Sequence, residues 1–489
     1  MHKIIIHDNK ACQFVTEDAS LFRVLRSKLS YKMNGVEYTE AYKNGWNGVT
    51  YLIGKKGNFF YGLLSVVEEF LKDHHETYII EDLRPPLKVN KPIDLSKVLK
   101  KIKMVPRDYQ DRIVDATCNS RNGIVRACTG SGKTLCTAMI AARLNKPTII
   151  YVIGLDLLKQ THDLFTTLFK EKIGYIGDGV CNIERINIAS IWTIGSALNI
   201  NKKNICTDDE ISCEEKVDLT QKEKIIKLLK QTKVHIFDEC HVVTCDTIQS
   251  IHKNIDPEHI YGFSGTPYRD DNTDLLINGI LGEQIVDVSA SELIEKKILA
   301  QPIIKFIAVP HMSMPLAQYQ TVYKSYITEN DIRNIIIIDQ TKELLDKKYT
   351  PLILFKHIKH GQLLFDMMTD AGIKCEMLYG NDSIKRRTEV KEMLVAGEIQ
   401  AILASTIFDL GVDIPMLNAL VLCGGGKSSI RALQRIGRVI RYFPGKKFAA
   451  IVDFYDQIKF LKKHSVIRSE IYSSEKGFRV IKCKEMKSG

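Results

Sequence analysis

The chain has 489 residues, which is too long for a single hydrophobic core, so about two to four domains are expected. Hydrophobic residues make up 45% and charged residues 26%, an ordinary globular mixture, and no run reaches the ~18 apolar residues that a membrane span needs. The N-terminus lacks a secretory signal pattern, so we expect a cytoplasmic protein without a membrane partner. The net charge of +11 favours a phosphate-rich partner, because Lys and Arg release counterions from phosphates.

Residues 1–95 are predicted to form a small α+β domain. A strand is predicted at "KIIIHD", a helix at "EDASLFRVLRSKLSY" and another helix at "SVVEEFLKDHH". Between the helices, "GVTYLIGKKGNFFYGLL" indicates a hairpin around a Gly-Lys-Lys-Gly turn, with a strand at 60–63.

Residues 96–300 and 301–455 repeat a pattern of strands alternating with helices. The first range holds "GIVRACTG", "PTIIYVIG" and "VHIFDECH", and the second holds "TPLILFKH", "IQAILAST", "NALVLCGG" and "KFAAIVDF". Continuous apolar runs of this length are typical of strands buried on both faces of a parallel sheet. We therefore predict two tandem α/β domains, with 199–224 as an exposed insertion.

Residues 456–489 are predicted to form a basic C-terminal extension. The segment carries Lys459, Lys462, Lys463 and Arg468. Two interpretations stay open, namely an extended path for nucleic acid and a solvated helix with a frayed end.

A phosphate-binding loop is predicted at "ACTGSGKT", which follows a strand and opens a helix. Gly130 and Gly132 can adopt backbone angles closed to other residues, and the loop amides attract phosphate. Lys133 is expected to reach the β- and γ-phosphates and Thr134 to offer its hydroxyl to Mg²⁺. The loop residues assigned to nucleotide binding are Thr129, Gly130, Ser131, Gly132, Lys133 and Thr134.

A second cluster, "HIFDECH", ends another strand with carboxylates. Beside a phosphate-binding loop, Asp238 would hold Mg²⁺ and Glu239 would orient and deprotonate the attacking water. Zinc is the alternative, but the neighbouring side chains of Cys240 and His241 would diverge on a strand. The absence of any CxxC pair among the 12 cysteines also weakens a structural zinc site.

With "DECH" as motif II, the chain resembles the superfamily 2 helicases, whose other motifs follow in order. "VPRDYQ" is similar to their adenine-reading element, with Arg107 and Gln110 as contacts. "SGTPYR" is similar to the coupling motif. The resemblance implies two RecA-like domains that bind ATP in the cleft between them, and it implies that His241 links the nucleotide site to Gln434.

Two further motifs complete the resemblance. "LASTIFDLGVDIP" is similar to motif V, which would place Thr406 toward nucleic acid and Gly411 and Asp413 toward nucleotide. "QRIGRVIR" is similar to motif VI and sets Gln434, Arg438 and Arg441 on one face of a helix. Guanidinium groups arriving from the second domain would stabilise charge on the γ-phosphate. Thr193 is a further expected contact with the phosphate backbone.

The first 95 residues resemble the N-terminal domain of the UvsW-type branch-migration helicases of T4-like phages. The features that carry the resemblance are an "NGW-G" turn around Trp46 and the "F-GL" segment that begins at Phe60. Trp46 could stack on bases while Lys55 and Lys56 contact phosphates, and packing of Trp46 inside the small domain is the alternative.

The resemblance implies an ATP-dependent DNA helicase that remodels forks, D-loops and four-way junctions in phage recombination, replication and repair. It implies ATP and Mg²⁺ as cofactors, branched DNA as partner, a monomer or weak oligomer, and the cytoplasm of the host cell. Three alternatives stay open: an RNA or RNA–DNA helicase, the motor subunit of a restriction-type complex, and a DNA-binding scaffold with a relic ATP site.

Overall fold

The computed structural model describes residues 1–32, 40–200, 218–241, 245–265, 274–311, 318–379, 382–405, 414, 416–425, 433, 435–437, 439–441, 443 and 445–487. Packing of the backbone separates the chain into two compact units. Unit 1 comprises Met1–Ala127 and Gly132–Asp287, and unit 2 comprises Cys128–Ser131 and Val288–Gly489. Among the described helices, none is long and apolar enough to cross a membrane.

Unit 1 begins with a small α+β region built around a four-stranded sheet of order β5-β2-β1-β6. Strand β1 pairs antiparallel with β2 and parallel with β6, and β3 and β4 form a separate two-stranded ribbon. The elements are β1 (His2–Ile6), β2 (Ala11–Val15), α1 (Ala19–Lys28), β3 (Ser30–Lys32), α2 (Glu40–Lys43), β4 (Val49–Tyr51), β5 (Asn58–Phe60), α3 (Leu64–Asp73) and β6 (Tyr78–Asp82).

The segment predicted as a hairpin is only partly one. Its turn is present, since the Gly57 amide donates to the Gly54 carbonyl at 2.9 Å and Ile53 bridges Phe59 antiparallel. The prediction of a strand at 60–63 is wrong, because β5 ends at Phe60 and Tyr61–Leu63 form a 3₁₀ turn that leads into α3. Phe60 pairs with Ala11, the first residue of β2, so a strand that continued to 63 would run past the start of its partner.

The rest of unit 1 is an eight-stranded sheet of order β10-β9-β11-β8-β12-β13-β7-β14. Its strands are β7 (Asn122–Ala127), β8 (Thr148–Val152), β9 (Ile173–Gly177), β10 (Val180–Asn182), β11 (Ile186–Ser190), β12 (Val234–Asp238), β13 (His259–Ser264) and β14 (Gln284–Val288). Its helices are α4 (Ser96–Lys101), α5 (Asp108–Cys118), α6 (Lys133–Leu144), α7 (Leu155–Leu168), α8 (Ile191–Ala197), α9 (Leu219–Gln231), α10 (Cys245–Asn254) and α11 (Asp274–Leu281).

The centre of this sheet is parallel, as the continuous apolar runs predicted. Strand β12 lies between β8 and β13 with both pairings parallel, and all of its residues are buried. Parallel strands end at the same edge, so the loop after β7 and the carboxylates after β12 come to one edge of the sheet. The neighbouring insertion prediction needs one correction: α9 begins at Leu219, where Asp218 caps its first turn, and residues 201–217 lie outside the described part.

Unit 2 contains a seven-stranded sheet of order β17-β18-β16-β19-β20-β15-β21, in which every recorded pairing is parallel. The elements are α12 (Ala290–Glu295), β15 (Gln301–Val309), α13 (Tyr319–Tyr323), α14 (Asp331–Asp346), β16 (Pro351–Phe355), α15 (Ile358–Asp370), β17 (Cys375–Leu378), α16 (Ile384–Ala396), β18 (Ala401–Ser405), β19 (Ala419–Leu422), β20 (Phe448–Asp456), α17 (Lys459–Ser474), β21 (Arg479–Ile481) and α18 (Lys484–Lys487). The α/β fold class with parallel sheets is confirmed.

The C-terminal segment belongs to the body of unit 2. Strand β21 pairs with β15, and Arg468 of α17 is buried with its guanidinium bonded to Asp453 at 2.8 and 2.9 Å. A path for nucleic acid through Arg468 is therefore wrong, because that side chain neutralises a buried carboxylate. Lys459, Lys462 and Lys463 are exposed on the same helix.

Candidate functional site

The turn between β7 and α6 has the backbone that the glycines of the predicted phosphate loop allow. Gly130 and Gly132 adopt φ of +88° and +80°, in the left-handed region that disfavours side chains. A Cβ atom on Gly132 would also lie 2.5 Å from the Gln110 side-chain nitrogen. Position 132 therefore needs glycine for two reasons, one conformational and one steric.

The start of α5 brings Gln110 against this loop. The Arg107 amide donates to the Gln110 side-chain oxygen at 3.0 Å, and Gln110 is only 4% exposed, whereas Arg107 is exposed. Side-chain capping of this kind fixes the first turn of a helix. The two residues predicted to read adenine are thus held beside the loop, and their contact with a base stays a prediction.

Two carboxylates follow β12 and face the loop lysine. Lys133 Nζ lies 2.9 Å from Glu239 Oε1 and 3.4 Å from the Ala127 carbonyl oxygen. Glu239 has φ of +47°, a strained angle for a residue with a side chain, and its amide donates to the Asp238 carboxylate at 3.0 Å. The fold therefore brings Lys133 together with two adjacent carboxylates that lie more than 100 positions further along the sequence.

Burial dominates the electrostatics of this site. Asp238 is 7% exposed, and desolvation raises the pKa of its carboxyl above the usual range, with a further rise from the charge of Glu239. The ammonium of Lys133 acts in the opposite direction and lowers the Asp238 pKa. Any additional positive charge beside Asp238 would therefore stabilise the ionised form of its carboxyl group.

His241 connects the carboxylates to the end of β13. Its Nδ1 lies 2.7 Å from Ser264 Oγ and 3.5 Å from Glu239 Oε2. The predicted link from His241 to Gln434 cannot be placed, because Gln434 lies outside the described residues. What the structure adds is the link to Ser264, the first residue of the predicted coupling motif.

Cys240 is packed in the interior of unit 1. It is fully buried, an added Cβ on Gly262 would lie 3.0 Å from its sulfur, and burial raises the pKa of its thiol. Within the described ranges, no group of three or more His, Cys, Asp or Glu side chains is arranged to hold a metal ion.

The predicted nucleic-acid contacts have unequal access to solvent. Lys55 and Lys56 are exposed at the Gly54–Gly57 turn. Trp46 is half-buried, and its ring N–H donates to the Val49 carbonyl at 3.3 Å. Thr193 is 6% exposed, which favours packing over a contact with a phosphate backbone.

Part of the predicted site falls on positions that are not described. These are Thr406, Gly411, Asp413, Gln434 and Arg438. Arg441 is described and half-buried, directly after Ile440, whose carbonyl accepts from the Ala300 amide at 2.8 Å. The assignments of all six to nucleotide or nucleic acid stay predictions.

Sequence reasoning missed two polar residues in the turn between β1 and β2. The Lys10 ammonium donates to the Ile255 carbonyl at 2.7 Å, and the Asn9 amide donates to the carbonyls of Pro257 and Glu258 at 3.0 and 3.2 Å. The sequence signal in "HDNK" was only that of a turn. Nothing local indicated contacts 245 residues away.

Two family models match the chain. The model described as "Type III restriction enzyme, res subunit" matches residues 103–269, and that described as "Helicase conserved C-terminal domain" matches residues 317–443. The first range contains the phosphate loop and the carboxylates, and the second contains the segments similar to motifs V and VI.

Curated relatives are similar at low identity. "Putative helicase 22" of Sulfolobus islandicus filamentous virus is 26% identical over 70% of this chain, which spans 62% of that protein. "ATP-dependent DNA helicase uvsW" of Enterobacteria phage T4 is 24% identical over 98% of this chain and 99% of that protein. The fold is shared with Dbp5 of S. cerevisiae, solved with RNA and ADP BeF3, at a TM-score of 0.54 and 16% identity over 80% of this chain and 93% of that one.

Proposed function

Because the chain is an ATP-dependent helicase of superfamily 2 that resembles UvsW, we propose that it remodels branched DNA: forks, D-loops and four-way junctions, in phage recombination, replication and repair. The observation that carries this proposal is the similarity to the T4 DNA helicase across 98% of the chain, including the N-terminal region outside both family models. A match to the motor alone would say nothing about the substrate.

The chemistry proposed for the site begins with competition for Lys133. The phosphates of ATP would draw the ammonium away from Glu239, since a γ-phosphate carries more charge than one carboxylate. Glu239 is then left to orient and deprotonate the attacking water. The same event couples occupancy of the loop to activation of the base.

The donor set suits Mg²⁺. The Thr134 hydroxyl and the Asp238 carboxylate offer hard oxygen ligands, and the raised pKa of Asp238 shows a buried carboxyl that positive charge would stabilise as its anion. Bound there, the ion would supply charge against the phosphate oxygens. The arginines predicted in motif VI, Arg438 and Arg441, would add further charge at the γ-phosphate.

We propose that DNA is held mainly through its backbone, by a monomer or weak oligomer in the cytoplasm of the host cell. Lys55 and Lys56 supply exposed charge in the N-terminal region, which also contains the half-buried Trp46. Contacts of this kind give little base readout and a strong dependence on salt.

The test is steady-state ATP hydrolysis at fixed salt with no nucleic acid, single-stranded DNA, linear duplex, a four-way junction or RNA. We expect the strongest stimulation by the junction, and a Lys55→Ala/Lys56→Ala double variant should need more junction for half-maximal stimulation. Stronger stimulation by RNA than by any DNA would overturn the proposal in favour of an RNA helicase.

A restriction-type motor subunit is the second candidate, because the model matching 103–269 carries that description. Such a subunit would depend on partner chains. Stimulation of the isolated chain by DNA, with strand separation, would exclude that dependence, whereas activity that appears only with added partners would favour it.

A further inference from the structure

The turn between β1 and β2 is built onto the end of helix α10. Lys10 Nζ lies 2.7 Å from the Ile255 carbonyl oxygen and 3.5 Å from that of His252, at the C-terminal end of the helix. Carbonyls at this end of a helix lack intrahelical donors and carry partial negative charge. The N-terminal region therefore supplies a cationic cap to a helix of the motor sheet, 245 residues further along the chain.

Asn9, which is almost completely buried, adds hydrogen bonds to the same contact. The Asn9 side-chain amide donates to the backbone carbonyls of Pro257 and Glu258. The Asn9 backbone carbonyl accepts from the Asn122 side-chain amide at 3.1 Å. Asn9 is 6% exposed and Asn122 is 9% exposed, so these bonds are shielded from water. Buried hydrogen bonds are costly to leave unmade, which makes the contact specific.

Gly62 makes the second half of the interface, against α11. A Cβ on Gly62 would lie 2.1 Å from the Asn278 carbonyl oxygen, 2.6 Å from that of Gly279 and 2.8 Å from the Gly282 amide. Gly279 of α11 in turn faces Phe60, since an added Cβ on Gly279 would meet the Phe60 side chain at 3.3 Å. The two backbones approach too closely for any side chain at position 62.

The helices that receive these contacts are those that follow the two motifs of the hydrolysis site. Helix α10 comes next after Asp238, Glu239 and His241, and α11 comes next after Ser264. His241 and Ser264 are joined by the 2.7 Å hydrogen bond. The N-terminal region thus contacts the C-terminal ends of the two helices that come next after this hydrogen-bonded pair.

We propose that the N-terminal region is a positioning element for ATP hydrolysis: its docking surface of Asn9, Lys10, Phe60 and Gly62 fixes α10 and α11, and with them the placement of Glu239 and Ser264. The proposal rests on the hydrolysis site described above and not on any particular nucleic acid. It differs from a role in DNA binding, which would need exposed residues such as Lys55 rather than residues that contact the motor helices, such as Lys10 and Gly62.

The test uses the full chain with Lys10→Met, which removes the cap without a steric clash, and Gly62→Ala, which separates the two backbones. Lys3→Met is the matched control for charge, since Lys3 pairs with Glu81 of β6. Gly54→Ala is the control for glycine, since an added Cβ there would lie 3.7 Å from its nearest atom. Lys10→Arg should restore the cap.

Basal kcat for ATP should fall about fivefold or more in both variants, the scale of an ordinary coupling between sites, while KM for ATP stays unchanged. Protease cleavage within 83–95 should rise at the same time, because loss of the docking contacts lets the backbone of this already exposed segment unfold locally into a protease site. The controls and Lys10→Arg should match the wild type in both assays.

Wild-type kcat in a variant whose 83–95 segment has become cleavable would overturn the positioning role. Wild-type behaviour in both assays would overturn the docking contacts themselves. If Gly62→Ala does not fold, Lys10→Met decides alone. Basal kcat and protease cleavage are measured without nucleic acid. Failure of the branched-DNA proposal is therefore seen separately, in the stimulation of the wild-type chain by different nucleic acids.

Discussion

The position of the Glu239 carboxylate depends on a strained backbone angle at that residue. Its φ of +47° is a conformation that residues with side chains adopt rarely, at a cost of about 1–3 kcal/mol. The chain turns there directly after β12, and the turn aims the carboxylate back at Lys133. An extended residue would instead continue the strand, and its carboxylate would leave the edge of the sheet.

Glu239→Gln should bind ATP and turn it over at least ~100-fold more slowly, because the amide keeps the shape of the side chain and loses its basicity. Single-turnover hydrolysis and nucleotide binding measure the two effects separately. Glu223→Gln, on the exposed face of α9, is the matched control. Near-normal turnover in Glu239→Gln would assign water activation to another group.

Lys133→Ala should fail differently. Loss of the ammonium should weaken nucleotide binding itself, because Lys133 is the cation of the loop, and hydrolysis should be abolished while DNA binding persists. Equilibrium binding of ATP and of DNA tests this, with Lys159→Ala on α7 as an exposed lysine control. Normal hydrolysis would contradict the phosphate-loop assignment.

Helix α17 shows how an element can be misjudged from its charge. Four cationic residues suggested a surface for nucleic acid, yet Arg468 is buried against Asp453, which also accepts from the Tyr472 hydroxyl at 3.0 Å. A buried ion pair is weak evidence for stability, but breaking one partner leaves an uncompensated charge. The helix is thus fastened to β20 by a polar cluster that its hydrophobic pattern did not reveal.

Arg468→Met should destabilise unit 2 by about 3–5 kcal/mol, since Asp453 would remain buried without its partner. Chemical denaturation followed by probes in this unit measures the loss. Lys463→Met, which is exposed on the same helix, should change little, and Arg468→Met/Asp453→Leu should recover much of the stability. An unchanged midpoint in the single variant would contradict the role of the pair.

At the scale of the whole molecule, buried histidines make the folded state less stable in acid. Burial lowers the pKa of His235 and His360 to about 3 and of His252 and His259 to about 4, below the unfolded value of about 6.5. The unfolded chain therefore binds more protons below pH 6.5, and stability falls as the pH decreases through that value. Asp238 acts in the opposite sense, because its pKa is raised in the folded state.

The urea concentration at the midpoint of denaturation should accordingly decrease as the pH is lowered from 7 to 5. Each histidine should lower the free energy of unfolding by up to about 1.4 kcal/mol per pH unit. His235→Asn should reduce proton uptake on unfolding at pH 5.5 by up to about one proton, because only the unfolded state protonates this side chain. Urea denaturation in a pH series checks both. Midpoints that are independent of pH over this range would contradict the prediction.

The sequence by itself determined the parallel sheets and the positions of the glycine-rich loop and the carboxylates at the ends of their strands, because both depend on local patterns. Continuous apolar runs specify strands buried on two faces, and the loop from 127 to 134 and the carboxylates at 238 and 239 each lie at the end of such a strand. Parallel strands then bring those ends together, whatever the details of packing.

Only the tertiary structure decided the pairings of polar groups that are far apart in the chain. Lys10 capping α10, Arg468 neutralising Asp453, and Gly62 touching α11 each join residues that no local pattern relates. A lysine, an arginine or a glycine looks alike in sequence whether it is solvated or buried. The role of the lysine or arginine depends on the desolvation of its partner, and the role of the glycine depends on how closely another backbone approaches. Both conditions exist only once the chain has folded.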